Sequence, residues 1–185
     1  MKIKKFKLDL KLRNVYDNLK KIGIKITPEV ETLVSVIEKE LEEVIEPSVV
    51  VETYYIKDNK INEIIKHLQI PKNVVAITFC IATIGDKVED FVMSSNEEIK
   101  KNIADTILHA YLNSAVEFVI KLLKEKTEEN VEPRSVLLAQ QEIYKDIIEL
   151  LSAEKIGVSF NIQDKQLLPV YTTIVYSLWF ETKNK

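Results

Sequence analysis

One almost wholly apolar run, residues 74–84, constrains the fold more than any other feature of this chain. It reads Val-Val-Ala-Ile-Thr-Phe-Cys-Ile-Ala-Thr-Ile and is rich in β-branched residues. Such a run is typical of a strand that is covered on both faces. It is also far shorter than the ~20 apolar residues that a membrane span needs. We therefore predict a central strand in a sheet with further layers on both sides.

Shorter segments predict the other elements. The alternation of Phe6, Leu8, Leu10 and Leu12 with polar residues predicts an opening edge strand. Further strands are expected over 49–55, 158–162 and 170–180, with a turn at Asp164 and Lys165. Helical spacing predicts helices over about 13–23, 28–45, 61–68, 86–93, 97–126 and 136–151, with a polar loop over 127–133.

Helix starts with capping signals include Thr27 before Pro28 and Asp86 after Gly85. Strands and helices mix without strict βαβ alternation, which predicts an α+β fold with a twisted, mostly antiparallel sheet flanked by helices. The sequence shows no repeat or linker, so residues 1–185 are expected to form a single domain.

Charge and cysteine content exclude several function classes. The 26 basic and 29 acidic residues leave a net charge of −3, and Arg13 and Arg134 are the only arginines. No broad attraction to nucleic acid or to a membrane surface is expected from this balance. Cys80 is the single cysteine, which excludes an internal disulfide and favours a reducing compartment, so we expect a cytoplasmic protein. Residues 1–11 lack the apolar stretch of a secretory signal.

A ribbon of polar residues lies on the longest predicted helix. Asp105, His109, Asn113 and Glu117 follow one another at four-residue intervals. Each such step drifts about 40° around an α-helix, so pairs of these residues can meet one small ligand but all four cannot. Asp105 and His109 could form a metal pair or a proton-transfer couple, and a solvated helix face is the alternative. Two histidines and one cysteine argue against a structural zinc site, and no metal site is predicted.

Other reactive features are sparse. Cys80 lies within the apolar run, where a thiol usually acts as a small hydrophobic group, and a nucleophilic role is the alternative interpretation. The chain has three glycines, at positions 23, 85 and 157, and contains no glycine-rich motif that could cradle a phosphate.

Several segments, taken in order, carry a family resemblance. Residues 18–23 resemble an early "R-Y-L-G-Y" element, 45–47 an "i-x-P" before a strand, and 81–85 a strand end "a-T-l-G". Residues 104–117 are similar to a "D…s-a-a-v-E" helix. Residues 156–159, followed by residues 167–172, resemble a closing "i-G-v-x-L-t…m-l-P-x-k-S", with Thr172 in place of the serine. Nearly end to end, the chain resembles the reactivation (activation) domain of cobalamin (vitamin B12)-dependent methionine synthase, and especially its free-standing bacterial relatives.

The resemblance implies a ligand and a partner. Domains of this family bind S-adenosylmethionine, which remethylates cobalamin after one-electron reduction, and the cobalamin would be held by a partner corrinoid protein or methyltransferase. Glu117 matches the family's helix glutamate. The family's loop "R-x-S-P-G-Y" corresponds to residues 132–136, which retain the proline but no glycine. The resemblance implies Glu117, Arg134, Ser135 and Tyr171 as ligand contacts and no catalytic residue.

Three functions stay open from the sequence. The first is an accessory of cobalamin-dependent methionine synthase that presents S-adenosylmethionine to a corrinoid partner. The second is a non-catalytic relative that has lost this ligand and serves as an interaction partner of a corrinoid protein or methyltransferase. The third is a histidine-dependent enzyme that uses Asp105 and His109.

Overall fold

The computed structural model describes residues 1–125, 131–138 and 140–181, and of residues 131–137 and 181 it describes the backbone. The strands of this part are β1 (Lys2–Lys4), β2 (Ser48–Tyr55), β3 (Val74–Thr83), β4 (Val131–Leu137), β5 (Ser159–Asn161), β6 (Gln166–Leu168) and β7 (Thr172–Glu181). Its α-helices are α1 (Leu12–Lys21), α2 (Pro28–Val44), α3 (Asn62–Lys66), α4 (Lys87–Ser94), α5 (Glu98–Glu125) and α6 (Tyr144–Leu151).

Five of the strands form one antiparallel sheet in the order β1-β2-β3-β7-β4. The apolar run predicted to be central is β3, and it lies in the middle of this sheet between β2 and β7. Strands β5 and β6 pair separately as a short antiparallel hairpin. The predicted α+β class, with a mostly antiparallel sheet flanked by helices, is confirmed.

Alternate side chains of β3 enter two different cores. Cys80 and Ala82 belong to a cluster with the apolar faces of α1, α2 and α5. Phe79 and Ile81 belong to a second cluster on the opposite face, which includes residues of α3, α6 and the β5–β6 hairpin. Burial on both faces explains why the sequence of this strand is nearly continuous in apolar residues rather than alternating.

Helix α5 is the largest element on the first face. It contacts α1 and α2, and it crosses β2, β3 and β7. By length and composition alone α5 could cross a membrane. Buried side chains such as Ile103, Ile107, Leu108 and Ala115 occupy the first core, as expected of the central helix of a layered domain.

Most predicted helices and strands in the first 125 residues are confirmed, with boundaries within a few residues. The opening strand is an exception. The pairing with β2 involves Lys2, Ile3 and Lys4, and residues 6–11 form no strand. The alternation of apolar and polar residues over 6–12 therefore has another cause than strand pairing. Phe6, Leu8 and Leu10 pack into the first core without a neighbouring strand. Asp86 precedes α4, but its side chain does not cap the helix.

Residues 131–151 also differ from the sequence prediction. Strand β4 includes residues 131–133, which the sequence predicts as loop, and residues 136–137, which it predicts as helix. The helix predicted to begin at residue 136 is α6, and it begins at Tyr144. Residues 127–130 of that loop lie outside the described residues. Pro133 is compatible with β4 because this strand lies at the sheet edge, where one row of backbone N–H groups needs no partner. The segment predicted as one strand over 170–180 is β7, which begins at Thr172, and β6 precedes it.

Candidate functional site

A groove of about 510 Å³ lies between α1 and α5 above β7. Thr173 and Val175 of β7 form its floor. Its walls are mainly polar and comprise Asn14, Asp17, Asn18 and Lys21 of α1 with Ala110, Asn113, Ser114, Val116 and Glu117 of α5. The volume lies within the range typical of small-molecule sites.

Glu117 lies on the α5 wall and is held by an ion pair. Lys11 Nζ donates to Glu117 Oε2 at 2.8 Å, and both side chains are more than half exposed. An exposed pair of this kind contributes only about 0 to 1 kcal/mol, because water solvates both charges and the long side chains lose conformational freedom. A ligand that offers Glu117 a better donor can therefore displace Lys11 at little cost.

Asp17 supplies a second carboxylate on the α1 wall. Its oxygens lie 3.6 Å from Lys20 Nζ and 3.9 Å from Arg13 Nε. Lys21 lines the same wall, where its ammonium group donates to the side-chain carbonyl of Asn18 at 3.1 Å. The groove thus combines two carboxylates, one ammonium group and several amide and hydroxyl groups. This set complements a ligand that carries both positive and negative groups.

Tyr171 joins a different group of side chains. Its hydroxyl donates to Asp105 Oδ1 at 2.8 Å, and its ring meets the His109 ring edge-on with centroids 5.7 Å apart. His109 Nε2 lies 3.7 Å from Asp105 Oδ1. Burial, together with the hydrogen bond to Asp105 and the charge of that carboxylate, raises the pKa of the Tyr171 hydroxyl, so it remains a neutral donor.

The polar ribbon of α5 therefore divides into two pairs. Asp105 and His109 contact Tyr171, whereas Asn113 and Glu117 face the groove. This division agrees with the rotational drift of four-residue steps. Tyr171 does not line the groove that contains Glu117, so the structure does not bring these two residues into one cavity.

Arg134 and Ser135 are placed by their backbone in β4. The register pairs Arg134 with Leu178 and Ser135 with Ser177 of β7, and it pairs Leu137 with Val175 on the groove floor. The segment that corresponds to the family's glycine-containing loop is thus a paired edge strand beside the floor strand of the groove.

Other candidate chemistry is not supported by the geometry. Among the described residues, no three His, Cys, Asp or Glu side chains come together as a metal site. Cys80 is 1% exposed, and burial raises the pKa of its thiol to about 12. A protonated, inaccessible thiol is not a nucleophile, so Cys80 acts as a core residue.

Sequence reasoning missed the α1 side of the groove. Asn14, Asp17, Asn18 and Lys21 follow helical spacing and form one polar face, which by itself indicates only exposure to solvent. In the structure α1 packs beside α5, so its polar face forms one wall of the groove. The sequence alone does not indicate this, because the two helices are far apart in the chain.

Comparisons with known proteins support the fold but supply no sequence family. No protein-family model and no curated protein matches the sequence. The structure is similar to that of the MetH reactivation domain bound to AdoHcy, with a TM-score of 0.55 and 13% identity. The match covers 100% of this chain and 80% of that chain. The two chains share a fold. At 13% identity the likeness shows the architecture alone and does not show which ligand this chain binds.

Proposed function

We propose that this chain is a reactivation-domain-like protein that binds S-adenosylmethionine in the groove between α1 and α5 and presents it to a corrinoid partner. The observation that carries the proposal is the position of Glu117. The resemblance assigned this residue to the ligand, and it lies on the wall of a groove of about 510 Å³. The solved neighbour with the same fold is bound to AdoHcy.

The groove suits the chemistry of this ligand. S-adenosylmethionine carries an ammonium group, a carboxylate, a sulfonium and a ribose diol. Asp17 and Glu117 can accept hydrogen bonds from the ammonium group or the diol, and Lys21 can pair with the carboxylate. Asn14, Asn18 and Asn113 offer amides that both donate and accept.

The role of the protein in this proposal is orientation. When bound, S-adenosylmethionine supplies an activated methyl group, and the acceptor cobalt belongs to the partner. The side chains of the groove would hold the amino-acid and ribose portions, so that α1 and α5 fix the direction of the sulfonium. Such positioning accelerates a transfer by removing translational and rotational freedom rather than through a catalytic residue.

A second candidate function is favoured by one observation. The segment that matches the family's glycine loop is fully paired as β4 and contains no glycine. Close approach of the backbone to a ligand is easiest at glycine, so this departure favours a relative that keeps the fold and docks on a corrinoid protein or methyltransferase without the small ligand.

Calorimetric titration separates the two functions. We expect saturable binding of S-adenosylmethionine and of S-adenosylhomocysteine to the wild-type chain. Glu117→Gln should weaken both about tenfold, because it removes a charged hydrogen-bond acceptor. Glu149→Gln is the matched control, since Glu149 is an exposed partner of Lys145 on α6, on the opposite face of the sheet.

The wild-type result decides between the candidates. Absence of heat with both ligands at millimolar concentration contradicts the first function. Retention by an immobilised cobalamin-binding domain under the same conditions then supports the second. If neither the ligands nor that domain bind, both proposals are wrong.

A further inference from the structure

Basic and acidic side chains are distributed very unevenly along this chain. Residues 1–25 contain nine lysines and arginines but two acidic residues, which gives this segment a net charge of +7. Because the whole chain has a net charge of −3, residues 26–185 carry −10. All nine basic side chains of residues 1–25 are exposed. The positive charge therefore lies at the surface, where it can act on a partner.

Three of these cations border the α1 side of the groove between α1 and α5. Lys21 lines the wall, and Arg13 and Lys20 pair with Asp17 of the same wall at 3.9 and 3.6 Å. The Arg13 side chain is 92% exposed and that of Lys20 is 60% exposed. Exposed pairs of this length are weak and leave most of each charge open to solvent. One carboxylate thus offsets only part of the positive charge on this side.

The α5 side of the groove continues into a second depression, of about 320 Å³, with which it shares Glu117. Ile120, Lys121 and Lys124 also line this depression. Lys11 adds a further cation through its ion pair with Glu117, and its side chain is 63% exposed. The residues that line or pair at this side therefore also have a net positive charge.

The acidic charge is concentrated on α2, away from the groove. This helix contains six glutamates and one lysine, and its residues do not line the groove. Burial and the charge of the neighbouring Glu42 raise the pKa of Glu38, as expected where carboxylates crowd together. An acidic macromolecule is therefore attracted to the mouth of the groove and repelled by α2, so charge alone orients its approach.

We propose that the basic rim of the groove, formed by Lys11, Arg13, Lys20, Lys21 and Lys121, is a docking surface for an acidic protein surface. The identity of the partner rests on the function proposed above, in which this acidic surface belongs to the corrinoid protein. Strand β7 closes the floor of the groove and two helices close its sides. A cobalt can therefore reach a ligand in the groove only through the mouth, and its protein must bind at the basic rim.

An acidic protein fits this surface better than nucleic acid does. Asp17 and Glu117 lie inside the basic rim, and a phosphate backbone that followed the groove would meet both carboxylates. Arg13 is the one arginine of the rim, and arginine is the residue best suited to bidentate phosphate contacts. A folded acidic surface can place its carboxylates opposite the cations and leave the two groove carboxylates to the ligand.

An acidic peptide tests the docking surface directly. Hexaglutamate is titrated into the ¹⁵N-labelled full chain at low ionic strength and followed by two-dimensional NMR. We expect saturable shifts in the amides of residues 11–21 and 117–121. The affinity should fall at least about tenfold between about 10 mM and about 150 mM salt, because salt screens exposed charges.

Charge reversal locates the binding surface. The triple variant Arg13→Glu, Lys20→Glu, Lys121→Glu changes three residues of the basic rim that do not line the groove. It should weaken hexaglutamate binding at least about tenfold, because three attractive contacts become repulsive. Retention by the immobilised cobalamin-binding domain should be lost as well. The dispersion of the amide spectrum shows whether the variant is folded.

The matched control is the triple variant Lys60→Glu, Lys66→Glu, Lys145→Glu. These lysines are exposed, and they lie on or beside α3 and α6, which pack on the opposite face of the sheet. The control has the same net charge as the rim variant, so it measures the effect of total charge alone. It should bind hexaglutamate within about twofold of the wild type and be retained by the cobalamin-binding domain.

Four results overturn the proposal. Hexaglutamate leaves the wild-type spectrum unchanged, or its shifts lie outside the basic rim, or the control loses as much affinity as the rim variant does. The fourth is tighter binding of heptathymidylate, a nucleic acid probe with the same number of charges. Calorimetry with S-adenosylmethionine reports on the groove of the wild-type chain alone, so failure of the ligand proposal and failure of the docking proposal are separate results.

Discussion

At the scale of single residues, a hydrogen-bonded chain of three side chains stabilises the sheet. Thr78 is fully buried in β3, and its hydroxyl accepts from Trp179 Nε1 at 2.7 Å. The Thr53 hydroxyl lies 2.6 Å from the same oxygen. A buried indole N–H needs an acceptor, and Thr78 provides it across the strand pair of β3 and β7.

This arrangement predicts an asymmetric result for two similar substitutions. Thr78→Val keeps the shape of the side chain but leaves the buried indole N–H without a partner, so it should lower the free energy of unfolding by about 1 to 3 kcal/mol. Thr53→Val keeps the Trp179–Thr78 hydrogen bond and removes only the outer, more exposed partner of Thr78, so it should cost less, about 1 kcal/mol or below. Urea unfolding followed by the fluorescence of Trp179 measures both, and equal effects would contradict the asymmetry.

The limits of sequence prediction are clearest for individual side chains. Glu117 was singled out from the sequence, and it does line a groove. Tyr171 was also singled out, yet it contacts Asp105 and His109 instead. The difference arises because the starting point of β7 relative to α5 depends on sheet register, which a single sequence does not reveal.

At the scale of elements, α5 shows how one helix serves both stability and the candidate sites. Its buried residues, Tyr111 among them, fill the first core, whereas Asn113 and Glu117 face the groove. The N-terminal segment is fastened to the same helix by the Phe6–Phe118 stack, with centroids 5.1 Å apart, and by the Lys11–Glu117 ion pair.

Two isoleucines of α5 test its role as the core helix. Ile107 is fully buried, whereas Ile99 is 41% exposed. Ile107→Ala should lower the free energy of unfolding by about 2 to 5 kcal/mol, because it leaves a cavity beneath the helix. Ile99→Ala should cost less than about 1 kcal/mol. Chemical denaturation of both variants provides the measurement, and a similar loss for each would contradict this packing.

Elements with strong local signals could be predicted. Segments whose structure depends on their position in the sheet, such as β4 and residues 6–12, could not. The Thr27-Pro28 start of α2 is a local signal, and the Thr27 hydroxyl accepts from the Val30 N–H. Strand β4 has no such signal, because Pro133 argues against a strand unless its edge position is already known. The alternation over residues 6–12 was correctly associated with burial, but the segment packs on helices rather than pairing in the sheet.

At the scale of the whole molecule, the burial of tyrosine hydroxyls and of the cysteine thiol predicts that the folded state is less stable at alkaline pH. Burial is the main cause that raises the pKa of the phenols of Tyr54, Tyr111 and Tyr171, and it raises that of the Cys80 thiol to about 12. The unfolded chain loses these protons at lower pH than the folded chain, so it binds fewer protons there. The stability that these groups contribute is therefore fully present below their pKa values in the unfolded chain. It is lost as the pH rises from there through their higher pKa values in the folded chain.

This sign gives a direct test. The midpoint of urea unfolding should fall steadily as the pH rises above about 9, where the thiol and then the phenols of the unfolded chain ionise. Tyr111→Phe should show a shallower decline, because it removes one of the contributing groups. A midpoint that stays constant from neutral to alkaline pH would contradict the burial of these side chains.

The proposed ligand groove lies between α1 and α5, in a fold that the chain shares with the MetH reactivation domain. Two-dimensional ¹H–¹⁵N NMR of the labelled chain, titrated with S-adenosylhomocysteine, tests it most directly. We predict saturable shifts in the amides of residues 14–21, 113–117 and 173–175, which line the groove. Unchanged spectra at millimolar ligand, or shifts confined to residues remote from these segments, would contradict it.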